Sequence, residues 1–273
     1  MSEPKRAGAK TAGRRDPSRS DSGPEIDRHA DISAAGSLAR PHAVAVPGQR
    51  RSLRLATEIA VLYLAMPIVA LHLVLDYRLP LFTVLPGLVI VFAGILVLDR
   101  SFSFRRELSS GFRPRHLIWI LATFLVLGGI VAFVVSELMP SQFLAMPRER
   151  TAIWQRVVTF YPLLSVIPQE IAYRTFFFHR YGPLFRHHRW ALIGINGLLF
   201  GFGHVLFGNW LAVAGTALTG MIFAYRYERT RSLWAVFIEH TLWGWLVFTV
   251  GLGGYFFTGI AFQGDFRLPW ISK

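Results

Sequence analysis

Between Leu55 and Val250 the sequence repeats one pattern: apolar runs about as long as a bilayer is thick, joined by short connections that hold most of the charge. A helix needs roughly 20 predominantly apolar residues to cross the hydrocarbon. Such runs lie at 55–75 (LATEIAVLYLAMPIVALHLVL), 80–98 (PLFTVLPGLVIVFAGILVL), 116–138, 155–178, 190–207, 210–226 and 233–250. Lipid offers an open backbone no hydrogen bonds, so each run reads as a helix. The expected fold is all-α: a polytopic membrane protein with about seven transmembrane helices in one bundle. An eighth segment, GLGGYFFTGIAF (251–262), is short and glycine-rich, and reads as spanning, re-entrant or interfacial.

Composition agrees, with 53 % hydrophobic residues against 16 % charged, an imbalance that a soluble domain rarely shows. The absence of cysteine excludes disulfides, CxxC redox motifs and thiolate metal sites. The net charge of +13 matters less than its location. Residues 1–52, opening MSEPKRAGAKTAGRRDPSRSDSGPE, are rich in Arg, Lys, Ser, Pro and Gly. They bury too little to offset chain entropy and are expected to be a disordered, basic cytoplasmic tail. No apolar run follows the early charges as in a signal peptide. The basic residues lack interleaved aromatics, so anionic lipid is the expected partner and nucleic acid is not. Residues 53–273 then form the helical transmembrane domain. No internal repeat is visible, which speaks against an inverted-repeat transporter.

Trp154, Trp190, Trp210 and Trp234 fall at the starts of runs, as an interfacial belt requires. Basic residues crowd the tail and the connections 99–115, 179–189 and 226–232. The alternate connections are poorer in them, apart from Arg148 and Arg150. This bias places the N-terminus in the cytoplasm. With short loops and no targeting segment, the expected location is a bacterial inner membrane. The sequence carries no signal for oligomeric state.

Ionisable residues inside lipid cost roughly 2.5–3.5 kcal/mol each on insertion scales and mark function by default. Glu170 and Arg174 stand four apart in PQEIAYR, close enough on a helix to pair. Such a pair is also compatible with a purely architectural lock. His204 lies in FGFGH and His240 in FIEHTLWGW. Each alone fits a satisfied core histidine. Together they place one carboxylate and two imidazoles on three helices, with Glu170 and His240 each about 12 Å inside. That set suits general acid–base activation of a water. Glu170, His204 and His240 equally match a zinc set with an open position. Ala212, Thr216, Gly220 and Ala224 recur every four residues, a small-residue face for close helix packing.

QEIAYR (169–174), FGFGH (200–204) and the His240 helix resemble the three motifs of the CPBP family, the intramembrane endopeptidases that include CAAX prenyl proteases and bacteriocin-processing or immunity proteins. The family pattern is EExxxR, then FxxxH, then a His followed four residues later by Asn or Asp. The resemblance covers roughly residues 115–250, the expected catalytic core. It implies a glutamic-type protease whose glutamate and second-motif histidine activate water, with the third-motif histidine on the oxyanion side. On this chain those roles fall to Glu170, His204 and His240, with Arg174 orienting Glu170 and Phe200 completing the second motif. The substrate would be a peptide or membrane protein, and no cofactor is expected, zinc being the alternative. A catalytically inactive binding or immunity protein is the runner-up. Two positions depart from the pattern: Gln169 replaces the first acid, and Gly244 replaces the Asn or Asp. Gln169 is expected to bond the substrate backbone. Asn209, Trp243 or Trp245 is expected to supply the missing oxyanion donor.

Overall fold

The computed structural model describes residues 48–77, 81–109 and 111–256. The expected tail, 1–52, lies outside them except for its last residues, and Gln49–Ser52 already belong to the first helix. Of the segment 251–262, Leu252–Phe256 forms a 3₁₀ turn and the remainder lies outside the described residues.

The described residues are all-α. In chain order they form α1 (Gln49–Ala60), a π turn (Val61–Ala65) and α2 (Met66–Leu75), then α3 (Leu81–Leu98) and α4 (Phe104–Ser109). α5 (Pro114–Leu138) and α6 (Ala145–Glu149) follow. A segmented helix comes next: α7 (Thr151–Tyr161), a π turn (Pro162–Val166), α8 (Ile167–Glu170), a second π turn (Ile171–Phe176) and α9 (Phe177–Tyr181). The last elements are α10 (Arg189–Gly203) with a 3₁₀ end (His204–Phe207), α11 (Trp210–Thr230) and α12 (Leu233–Val250).

The expectation of seven or eight spans is corrected. Among the described residues, four stretches are long and apolar enough to cross a membrane: Gln49–Val74, Pro114–Leu138, Arg189–Phe207 and Leu233–Val250. The run 155–178 is not among them because Gln169, Glu170 and Arg174 inside it lower its apolar character. The run 210–226 is helical, but its Thr, Gly and Ala positions serve packing rather than lipid contact. The four spans make this an integral membrane protein. α5 turns Ile118, Trp119, Leu125 and Val126 outward, surface that only lipid or another apolar partner would cover.

The interruptions of the segmented helix follow from its prolines. Pro162 lacks the amide hydrogen that would satisfy the Val158 carbonyl. The indole of Trp245 donates to that carbonyl instead, at 3.0 Å. Pro67 likewise adjoins the π turn of Val61–Ala65. The Tyr63 hydroxyl in that turn donates to the Ala172 carbonyl in the π turn of Ile171–Phe176, at 2.6 Å. Tyr63 is fully buried against the rings of Phe92, Tyr173 and Phe177. The two wound-open helices therefore lean on each other, and π turns of this kind often lie at functional sites.

α10 and α11 pack at backbone distance. A Cβ on Gly201 would come within 2.6 Å of the Val213 carbonyl oxygen, and one on Gly197 within 2.7 Å of the Met221 nitrogen. The facing residues on α11 are Val213, Ala217 and Met221; the stripe Ala212, Thr216, Gly220 and Ala224 is buried too, and its Gly220 meets Phe200 and Gly197 of α10. The far end of the segmented helix is tied down by charge. Arg180 donates to both oxygens of Glu58 at 2.6 and 2.9 Å, and His179 meets Asp99 at 3.1 Å.

Candidate active site

The segmented helix carries Tyr161, Gln169, Glu170 and Arg174; the end of α10 carries His204, and the middle of α12 carries His240. The structure brings these groups together: Glu170 and Arg174 pair as their spacing suggests, and His240 is a second partner of Glu170.

Glu170 and Arg174 have no exposed surface. Nε of Arg174 stands 3.4 Å from Oε2 of Glu170, an ion pair without hydrogen-bond geometry. Oε1 of Glu170 accepts from Nδ1 of His240 at 2.7 Å. A lone buried carboxylate would cost several kcal/mol, and these two partners offset that cost. Arg174 is held on its other side by Asn196, whose Oδ1 accepts from Nη1 at 2.9 Å. Asn196 Nδ2 in turn donates to the Tyr173 carbonyl at 2.6 Å. The Arg174 guanidinium also lies over the Phe200 ring, 4.8 Å from its centroid, worth about 2 kcal/mol when desolvated.

Phe200 is the hub of the site. Its ring lies 4.7 Å from the His204 imidazole and 5.6 Å from that of His240. Its backbone carbonyl accepts from Nδ1 of His204 at 2.7 Å. A carbonyl only accepts, so Nδ1 carries the hydrogen, and the lone pair of neutral His204 lies on Nε2. His240 stacks on Phe223 at 4.8 Å. Its remaining nitrogen, Nε2, is 3.0 Å from the Tyr161 hydroxyl.

His204 and His240 open onto a cavity of about 1030 Å³. Tyr161, Ser165 and Gln169 join them on its polar wall, as do Arg156, Thr216 and Thr219, and apolar side chains of α5, α7 and α12 form most of the rest. Glu170 and Arg174 are not on the wall. Glu170 therefore bears on His240 from behind, whereas the sequence suggested direct contact with water. The residue facing the cavity is its neighbour Gln169, because adjacent helix positions differ by about 100°. Gln169 Nε2 donates to Ser165 at 2.8 Å, and its Oε1 is buried with no hydrogen-bond partner among the described residues.

The expected oxyanion donors fare unequally. Asn209 is the N-cap of α11: its Oδ1 accepts from the Ala212 amide at 2.8 Å, and its Nδ2 donates to the carbonyls of Phe207 and Tyr255. Its capacity is spent on structure. Trp245 is committed to Val158. Trp243 does line the cavity. Of the three residues of the zinc set, His240 has both ring nitrogens and Glu170 one oxygen engaged by protein groups.

Two site residues escaped the sequence reading. Asn196 is a polar residue in an otherwise apolar helix, the same signal that marked His204. Tyr161 had one clue: the side chain absent at Gly244 leaves room that another residue must fill.

Residues 150–246 match the family model described as Type II CAAX prenyl endopeptidase Rce1-like. The match begins just before the segmented helix and ends within α12, so it includes every residue of the cluster above. No curated protein and no solved structure matches the chain.

Proposed function

As a member of the Type II CAAX prenyl endopeptidase Rce1-like family, this chain is, we propose, an intramembrane endopeptidase that hydrolyses a peptide bond of a membrane-associated peptide or membrane protein. The observation that carries the reading is the buried Glu170–His240 contact, which ends at a cavity wall shared with His204.

In the proposed reaction His204 is the general base. Its Nδ1–H is fixed by the Phe200 carbonyl, and Nε2 takes a proton from a cavity water. The resulting hydroxide bonds to the substrate carbonyl carbon, and the carbonyl electron pair moves onto oxygen. His240 stands on the oxyanion side with the Glu170 charge behind it, and Arg174 keeps Glu170 in place. The unpartnered Oε1 of Gln169 accepts from the water or from a substrate N–H. Collapse breaks the C–N bond, and His204 returns its proton to the departing amine. No step is routed through a metal.

A second reading keeps the fold without the reaction: an inactive relative serving as a membrane binding or immunity protein. Gln169 favours it, being an amide on the cavity wall where the family pattern has a carboxylate. We further propose a bacterial inner membrane with the N-terminus in the cytoplasm.

The test is cleavage of a library of membrane-peptide substrates by purified protein, wild type beside Glu170→Gln, with metal content measured on both. Cleavage lost in a folded, metal-free variant pair supports the glutamate–histidine reading. Cleavage that tracks bound metal revives zinc. Cleavage by neither protein, with both folded, shifts the assignment to the inactive relative.

A further inference from the structure

The cavity holds a hydroxyl that this reaction has not yet used. Tyr161 ends α7, just before Pro162 winds the helix open. Its hydroxyl lies 3.0 Å from Nε2 of His240, and its ring faces the cavity beside His204 and Gln169. The opposite wall makes room for it: a Cβ on Gly244 would overlap the Tyr161 ring. Residue 244 is one turn beyond His240 on α12, so a side chain there would reach the space that the tyrosine occupies. Glycine at 244 and tyrosine at 161 are thus one steric solution. Of the other candidate donors, Asn209 and Trp245 already give their hydrogens to backbone carbonyls; Trp243 lines the cavity as well, but it is the Tyr161 hydroxyl that meets His240.

We infer that Tyr161 is the oxyanion-side donor of this site, its hydroxyl held by His240 and aimed at the substrate carbonyl oxygen. The inference rests on the endopeptidase reading above. The chain of contacts runs from the Glu170 carboxylate to Nδ1 of His240, and from Nε2 to the tyrosine oxygen. With His240 protonated, Nε2–H donates to that oxygen, and the tyrosine O–H is left to donate onward. No bond of the tyrosine breaks. As water loses its proton to His204, the charge that appears on the carbonyl oxygen meets a donor polarised by the His240–Glu170 ion pair. Such a donor acts mainly in the transition state, so its loss lowers kcat more than it raises KM.

Four proteins test this against the same peptide library: Tyr161→Phe, Gly244→Ala, their double variant, and Glu170→Gln as a control. Thermal melting in detergent establishes that each is folded. Removing one oxyanion donor typically costs about 10²- to 10³-fold in kcat, and Tyr161→Phe is expected at or near that level with KM little changed. Gly244→Ala is expected to fall similarly, because its methyl displaces the ring from His240. The double variant is expected to be little worse than either single one, since both remove the same interaction. Unchanged kcat in Tyr161→Phe overturns the inference while an inactive Glu170→Gln leaves the endopeptidase reading standing. Fully additive losses in the double variant also overturn it. Wild-type cleavage retained in Glu170→Gln beside a fallen Tyr161→Phe overturns the Glu170 assignment and keeps that of Tyr161. A wild type that cleaves nothing overturns both.

Discussion

In the proposed reaction Glu170 serves stability and chemistry together. Its two charged neighbours, Arg174 and His240, are buried with it, so removing the carboxylate strands a guanidinium in the protein interior. Glu170→Ala is expected to destabilise the protein by about 3–5 kcal/mol, read as a lower unfolding midpoint in detergent. Asn209 makes the contrast. As the cap of α11 it contributes about 1 kcal/mol through its bond to the Ala212 amide. Asn209→Ala should therefore lower the unfolding midpoint modestly and leave kcat almost untouched; a large fall in kcat with normal stability would return Asn209 to the oxyanion side. At this scale the sequence marked residues that the structure gathers into one cluster. Glu170, Arg174, His204 and His240 stood out because lipid-compatible runs tolerate ionisable groups so poorly. Their pairing was legible only in part. Spacing placed Glu170 beside Arg174, and the structure keeps that ion pair, but contacts between helices far apart in sequence decided that its nearest partner is His240.

At the scale of elements, the segmented helix 151–181 organises the site, and its π turns follow the prolines. Its end is held by the connection between α3 and α4. Ser101 donates its hydroxyl and its backbone N–H to Asp99, at 2.6 and 2.9 Å. These bonds, together with His179, hold the Asp99 carboxyl down at about 2, below its ordinary value of 3.8. A carboxylate depressed in the folded state stabilises the fold above its ordinary value, and that contribution is lost as pH falls through the folded one. Asp99→Asn should consequently lower the unfolding midpoint at pH 6, and the difference from wild type should shrink toward pH 2. A difference that stays constant across that range would remove the linkage. The α10–α11 contact, by comparison, was readable in part. Small residues at every fourth position of α11 are buried, and Gly220 meets Gly197 and Phe200 of α10; that Gly201 meets Val213 and Ala217, one position round the helix, was not written in that spacing.

Over the whole molecule, four stretches among the described residues suffice to cross a bilayer. Of the other helices, α11 meets α10 through small residues, and α3 packs Phe92 on the rings of Tyr63 and Phe176. Orientation is testable because the chain has no cysteine. A single cysteine introduced as Ser52→Cys, near the basic start of α1, should react with an impermeant thiol reagent only from the cytoplasmic side. Labelling from the opposite face in intact cells or spheroplasts would reverse the N-terminal orientation.

The sequence by itself determined the solvent and the polar groups that this solvent makes costly. Apolar length demands a bilayer, the backbone in a bilayer demands helices, and ionisable groups in such helices demand partners. These are local rules of composition and spacing, and they need no knowledge of neighbours. The structure decided which stretches are helices long and apolar enough to cross, because that depends on where each helix begins and ends. It also decided that Gln169 rather than Glu170 faces the cavity, and that Tyr161 occupies the space left by Gly244. Both outcomes depend on the rotation of one helix against another, a quantity set by packing across the bundle and written in no single stretch of the chain.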